Sequence, residues 1–116
     1  MEKLFDAELR LMEMIWERGP VSAKEVSLAA SERFVWNKNT TYTVLKRLIE
    51  KGALLREEPG FICSAVLKRE DVQRAETKGL IEKLFGGSKK AFFAAFADES
   101  LSPDEIEALK ELIERN

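Results

Sequence analysis

The sequence contains no histidine and only one cysteine among its 116 residues. Without histidine there is no Ser-His-Asp triad, and without a Cys/His set there is no zinc centre. The lone Cys63 has no partner for an internal disulfide, which fits a reducing compartment. No stretch approaches the ~20 apolar residues of a membrane span. The start, Met1-Glu2-Lys3-Leu4-Phe5-Asp6, is too acidic and not apolar enough for a signal peptide. A glycine-rich phosphate loop, the ligand spacing of a calcium loop, internal repeats and low-complexity segments are also missing. Ser22 and Ser102 have no neighbouring base in the sequence and read as helix caps rather than nucleophiles. The expectation is a cytoplasmic protein that is not an enzyme and needs no cofactor or metal.

What is present is a foldable chain, 45% apolar and 34% charged. That is too apolar for a disordered chain and long enough to bury a core without staples. The net charge is −2 and the pI is near 5.4. That average conceals a segregation. Between Arg33 and Arg56, six bases (Arg33, Lys38, Lys46, Arg47, Lys51, Arg56) face one acid, Glu50, a net of +5. Between Asp98 and Glu114, seven acids face one base, Lys110, a net of −6. A basic middle and an acidic end suggest different tasks for the two parts.

Apolar periodicity predicts the elements. Phe5, Leu9, Met12, Ile15 and Trp16 recur at helical spacing, so a helix is expected from Asp6 to Arg18, ended by Gly19-Pro20. Ser22 with Glu25 reads as a capping box, and Val21 with Val26 as a hydrophobic staple, opening a helix to about Phe34. Val35-Trp36-Asn37 is a short connection. Asn37 caps a third helix, Lys38 to Lys51, whose inward face is Thr41, Val44, Leu45, Leu48 and Ile49, and Gly52 stops it. The period then shortens. Residues 54–57 and 61–66 read as strands joined by the turn Glu58-Pro59-Gly60. Three further helices follow: 71–85, closed by Gly86-Gly87; 89–97; and one opened by Ser102, Pro103 and Glu105, with Leu101 and Ile106 as a second staple.

The expected fold is mainly α with a small β-hairpin: a winged helix-turn-helix head over residues 1–70 and a three-helix dimerisation tail over residues 71–116. In this motif the second helix of the pair enters the major groove of DNA. Here that helix offers Asn39, Thr40, Tyr42, Thr43, Lys46 and Arg47 on its outward face. Amides and hydroxyls suit base edges, and Lys and Arg suit phosphates. In the tail, Leu80, Leu84, Phe92, Phe93, Phe96, Leu109 and Ile113 need cover that a second copy of the chain would supply. A two-fold dimer would also present paired half-sites. These features predict a sequence-specific repressor acting on double-stranded operator DNA. The alternative is a winged-helix protein-interaction module that does not bind DNA.

The order of residues resembles the penicillinase- and methicillin-resistance repressor family, the BlaI/MecI type. The match begins at Ala7-Glu8-Leu9 and continues through Met12, Ile15-Trp16, Val21-Ser22-Ala23 and Glu25. It is strongest at Trp36-Asn37, Thr40, Thr43, Leu45, Arg47-Leu48 and Lys51-Gly52, and returns at Leu84-Phe85-Gly86-Gly87. The resemblance implies a homodimeric repressor on a palindromic operator that controls β-lactam resistance genes. It also implies induction by proteolysis, signalled by a membrane-bound sensor. The chain departs from the family at three places. The bond matching the family's Asn-Phe cleavage site is Ala95-Phe96. The cysteine cluster of the copper-responsive branch is absent. The wing tip Glu57-Glu58-Pro59-Gly60 is acidic, so the wing is expected to add little to phosphate binding.

Overall fold

A computed structural model of the chain describes residues 2–97 and 101–115; of these, the side chains of 97 and 112–115 lie outside the description. The described elements run α1 (Asp6–Arg18), β1 (Val21–Ser22), α2 (Ala23–Phe34), α3 (Lys38–Glu50), β2 (Leu54–Glu57), β3 (Ile62–Ala65), α4 (Arg69–Phe85), α5 (Lys89–Ala97) and α6 (Pro103–Arg115). The chain divides into two compact units, Met1–Arg74 and Ala75–Asn116.

The first unit holds the core. Leu11, Met12 and Ile15 of α1, Val26 and Ala30 of α2, and Leu45 and Leu48 of α3 are fully enclosed, and Leu54 and Cys63 close the core from the sheet. The caps form where the sequence places them. Ser22 Oγ accepts the Glu25 amide at 3.1 Å, and Asn37 Oδ1 accepts the Thr40 amide at 2.8 Å. Gly52 follows α3 with φ of 77°, a backbone that glycine adopts without a Cβ penalty. The next residue ties off the wing: the Ala53 carbonyl accepts the amides of Val66 and Leu67 at 2.9 and 3.3 Å.

Several details differ from the sequence expectation, and β3 is shorter than the expected 61–66. The sheet has three strands, not two, in the order β1-β3-β2, with Val21 opposite Cys63 and Ser22 opposite Ile62. Two residues beside a helix cap carry no strand period, and their partner lies some forty positions away. In α1 the buried stripe is Glu8, Leu11, Met12, Met14 and Ile15, whereas Phe5 is exposed and Leu9 and Trp16 are half-buried. Glu8 is carried inside on the same face as Leu11, Met14 and Ile15, where its Oε1 accepts the Phe5 amide and the Lys51 ammonium. Finally, α4 starts at Arg69, and Val72 in its first turn is buried in the head's core. Arg69 bonds Glu13 at 2.9 Å, and Trp16 Nε1 donates to the Leu67 carbonyl at 2.8 Å, so the end of the wing is fastened to α1.

In the second unit Phe92 packs edge-on to Phe85 and Phe96, with centroids 5.5 and 5.1 Å apart. Helix α6 opens with a complete capping box. Ser102 Oγ accepts the Glu105 amide, and Glu105 Oε1 accepts the Ser102 amide. The Ser102 amide, and then its hydroxyl, favour the charged carboxylate and hold the Glu105 pKa below its ordinary value.

Candidate nucleic-acid interface

Helix α3 is amphipathic by spacing. Thr41, Val44, Leu45 and Leu48 recur every three or four residues and are buried, which turns the remaining positions outward. Asn39, Thr40, Thr43, Lys46 and Arg47 are all exposed. They share one continuous surface, because residues three and four apart are neighbours on a helix. Ile49, expected inside, is half-buried.

Tyr42 sits at the border of this surface and is half-buried. Its ring meets Phe61 edge-on at 5.7 Å, and the Lys38 ammonium lies 5.6 Å from the centre of the Tyr42 ring. Phe61 also carries the Arg56 guanidinium over its ring at 3.6 Å. A cation–aromatic ladder, Lys38–Tyr42–Phe61–Arg56, thus runs from the start of α3 to the wing. The Phe61 carbonyl accepts the amide of Ala23 at 2.9 Å, which anchors the wing to the start of α2.

The electrostatics separate the six bases of the middle window into two sets. Arg33 faces Glu17 at 3.9 Å, Lys51 pairs with Glu8 at 2.7 Å, and Arg56 pairs with Glu58 at 2.6 Å. Lys38, Lys46 and Arg47 have no acidic partner among the described residues. All three are exposed and all three belong to α3. The free positive charge of the window is therefore gathered on one helix, where an anion can reach it.

The wing tip is less repulsive than its composition suggests. Glu58 is bound by Arg56 through one oxygen and accepts the Phe61 amide through the other at 3.3 Å. The Arg56 hydrogen bond holds the Glu58 carboxyl below the ordinary carboxylate range, and the Phe61 amide adds to this. Glu58 is thus a wing-shaping group with its charge offset. Cys63 is fully enclosed in the core, and burial pushes its thiol pKa up.

The model of the family described as "Penicillinase repressor" matches residues 4–115. The chain belongs to the penicillinase repressor family. The penicillinase repressor of Bacillus licheniformis is 27% identical over 98% of this chain and 91% of its own length. The penicillinase repressor of Staphylococcus aureus is 30% identical, covering 92% of this chain and 87% of its own. The solution structure of the DNA binding domain of the repressor BlaI matches 61% of this chain and 93% of its own, with a TM-score of 0.56 and 34% identity. The Bacillus licheniformis BlaI monomer, solved in complex with the blaP half-operator, matches 60% of this chain and 88% of its own, with a TM-score of 0.55 and 33% identity. The winged helix-turn-helix expected from the sequence is thereby established.

In this penicillinase repressor family member the expected dimerisation residues divide into groups. Leu80, Leu84 and Phe96 are exposed large apolar side chains, with Leu84 62% accessible. Phe92, Phe93 and Leu109 are half-buried, and the side chain of Ile113 lies outside the described residues. Ile106, which the sequence assigned to a staple, joins the exposed set. Ala95 and Phe96, the expected cleavage position, are both exposed on α5. Sequence reasoning missed Glu8 and Phe61. Glu8 was legible only through its place three residues after Phe5, whose amide it accepts at 2.8 Å.

Proposed function

We propose that this chain is a DNA-binding transcriptional repressor that reads operator DNA through α3 and acts as a homodimer on a palindromic site. The observation that carries the reading is the collection of Lys38, Lys46 and Arg47, without acidic partners among the described residues, around the exposed Asn39, Thr40 and Thr43. Cations hold phosphates and fix register, while short amide and hydroxyl side chains read base edges. Tyr42 lies at the wing side of this surface, where its ring contacts Phe61. Family membership and the half-operator complex of the matched BlaI monomer support the same reading.

The reading head expected over residues 1–70 extends to Arg74, because Val72 completes its core, and the remainder of the chain to residue 116 acts as the dimerisation tail. Leu80, Leu84, Phe96 and Ile106 support the dimer, because a single chain leaves them in water. The dimer places two heads on two half-sites, and linking them raises occupancy without any new base contact. The target genes are those of β-lactam resistance. Release follows a cut at Ala95-Phe96 by a protease that a membrane-bound sensor controls, since removal of the last helix weakens the dimer. Among the described residues no helix is long and apolar enough to cross a membrane, which agrees with a repressor acting in the cytoplasm.

The test is a gel shift of the purified chain against the promoter of its own gene and its neighbours, with random duplex as competitor. A band that resists the competitor is expected. Equal affinity for promoter and random duplex at every salt concentration would overturn the reading.

A further inference from the structure

Seven described residues have positive φ, and glycine stands at five of them. Of the two exceptions, Phe61 contacts Tyr42 of α3 and Val35 lies in the short connection that leads into α3. Phe61 is explained by its surroundings. Its ring lies between Tyr42 and Arg56, and its carbonyl anchors α2. Val35 is not explained in that way. It closes α2 in the left-handed conformation with φ of 58° and ψ of 33°. Its amide donates to the Ser31 carbonyl at 3.1 Å, a bond made by the backbone alone. Its side chain is 88% exposed.

A β-branched side chain in this conformation is strained, and glycine or asparagine would close the helix with less. The flanking rings of Phe34 and Trp36 meet at a tilt of 47° with centroids 5.3 Å apart, and Arg10 lies over Phe34, so the neighbours are committed to the head. Val35 alone of this trio is turned fully into solvent. Neither local propensity nor packing favours valine here. The left-handed closure serves α2, but a β-branched side chain in it does not, and strained residues of this kind are concentrated where a ligand is met.

We infer that Val35 is a specificity contact, its methyl groups packing on the 5-methyl of a thymine at the edge of the half-site read by α3. This rests on the reading of α3 given above and extends it. Val35 lies two residues before Asn37, the cap of α3, so its Cα is within about 7 Å of the cap. A helix that enters the major groove by its N-terminal end carries that connection to the groove wall. The thymine methyl is the one apolar group the groove displays, and valine is apolar, stiff and already ordered in the left-handed turn.

The test compares the full-length chain with V35N and V35G, using urea melts and operator duplexes in which each thymine is replaced in turn by uracil. Both variants are expected to be at least as stable as the parent and to bind the operator about fivefold more weakly, within the tenfold that a small apolar contact of ~1.4 kcal/mol represents. The parent is expected to lose affinity when one particular thymine per half-site becomes uracil, and V35N to be indifferent to that replacement alone. The same uracil profile for parent and V35N, in chains that discriminate operator from random duplex, overturns the role of Val35 and leaves the reading of α3 standing. A parent that makes no such discrimination overturns both. Variants that lose stability and affinity together assign Val35 to the fold. A changed monomer–dimer equilibrium with unchanged affinity per dimer assigns it to a protein contact. Either result overturns the proposal.

Discussion

The Lys51 ammonium lies 2.7 Å from Glu8 Oε1, joining the end of α3 to the first turn of α1. Glu8 is 1% exposed, and its Oε1 also accepts the Phe5 amide. Lys51 donates in addition to the Lys3 carbonyl at 2.8 Å and lies 4.6 Å from the centre of the Phe5 ring. The pair is enclosed, so each ion depends on the other for the solvation it has lost. Lys51, counted from the sequence among the bases of the middle window, is a structural residue.

Removing one partner will therefore cost more than removing both. Glu8→Ala or Lys51→Ala is expected to lower unfolding free energy by about 3–5 kcal/mol, because an unpaired charge remains inside. The double replacement Glu8→Met with Lys51→Met should recover most of that loss. Urea midpoints at an unchanged m-value will show it. The double variant should also keep the parental salt dependence of DNA binding. A shallower slope would return Lys51 to the interface.

Lys46 and Arg47 should behave differently from Thr43 and Asn39. Lys46→Ala or Arg47→Ala is expected to weaken operator and random duplex alike and to reduce the salt slope by about one unit for each phosphate left unneutralised. Thr43→Ala or Asn39→Ala should cost roughly 1–3 kcal/mol on the operator and little on random DNA. Fluorescence anisotropy across a salt series separates the two effects.

Tyr42 is expected to act partly through the wing. Tyr42→Phe preserves the edge contact with Phe61 and should leave stability unchanged, whereas Tyr42→Ala removes it. An aromatic pair contributes about 0.5–1.5 kcal/mol beyond its buried area, so Tyr42→Ala should destabilise the head by at least that much. Thermal or urea melts of both variants check this. Reduced operator affinity in Tyr42→Phe at unchanged stability would identify the hydroxyl as a reader.

Glu58 sets a pH dependence for the wing. Its folded-state pKa is depressed by Arg56, so the unfolded state binds more protons across the interval below the ordinary carboxylate range. The Glu58 contribution is present above that range and is lost as pH falls through the depressed value. Chemical shifts of the Phe61 amide, which Glu58 accepts, should follow this titration. Glu58→Gln should abolish it.

The tail should dimerise through its exposed apolar residues. Sedimentation at micromolar concentration is expected to give twice the 13.2 kDa chain mass, and Leu80→Asp with Leu84→Asp should yield monomers. A head fragment should end after Arg74 rather than at residue 70, because Val72 is part of the head's core. That fragment should bind the operator far more weakly than the full chain, as its half-sites are no longer linked.

Among the described residues the sequence by itself determined the presence of each helix, the wing turn and the exposed positions Asn39, Thr40, Thr43, Lys46 and Arg47 of α3. These signals are local. A cap such as Asn37 acts on an amide three residues away, a stripe such as Thr41–Val44–Leu48 repeats within one helix, and Glu58-Pro59-Gly60 turns in place. Tertiary structure alone decided the rest. Strand β1 exists because Val21 and Ser22 meet β3, a pairing that two residues cannot announce. The buried face of α1 is decided by what packs on it, the core that encloses Leu11, Met12, Met14 and Ile15 and the ammonium that reaches Glu8 from forty-three residues away. The distribution of free charge follows from the same cause. A sequence counts bases, but only the folded chain decides which acids stand within reach of them, and among the described residues it leaves Lys38, Lys46 and Arg47 without one.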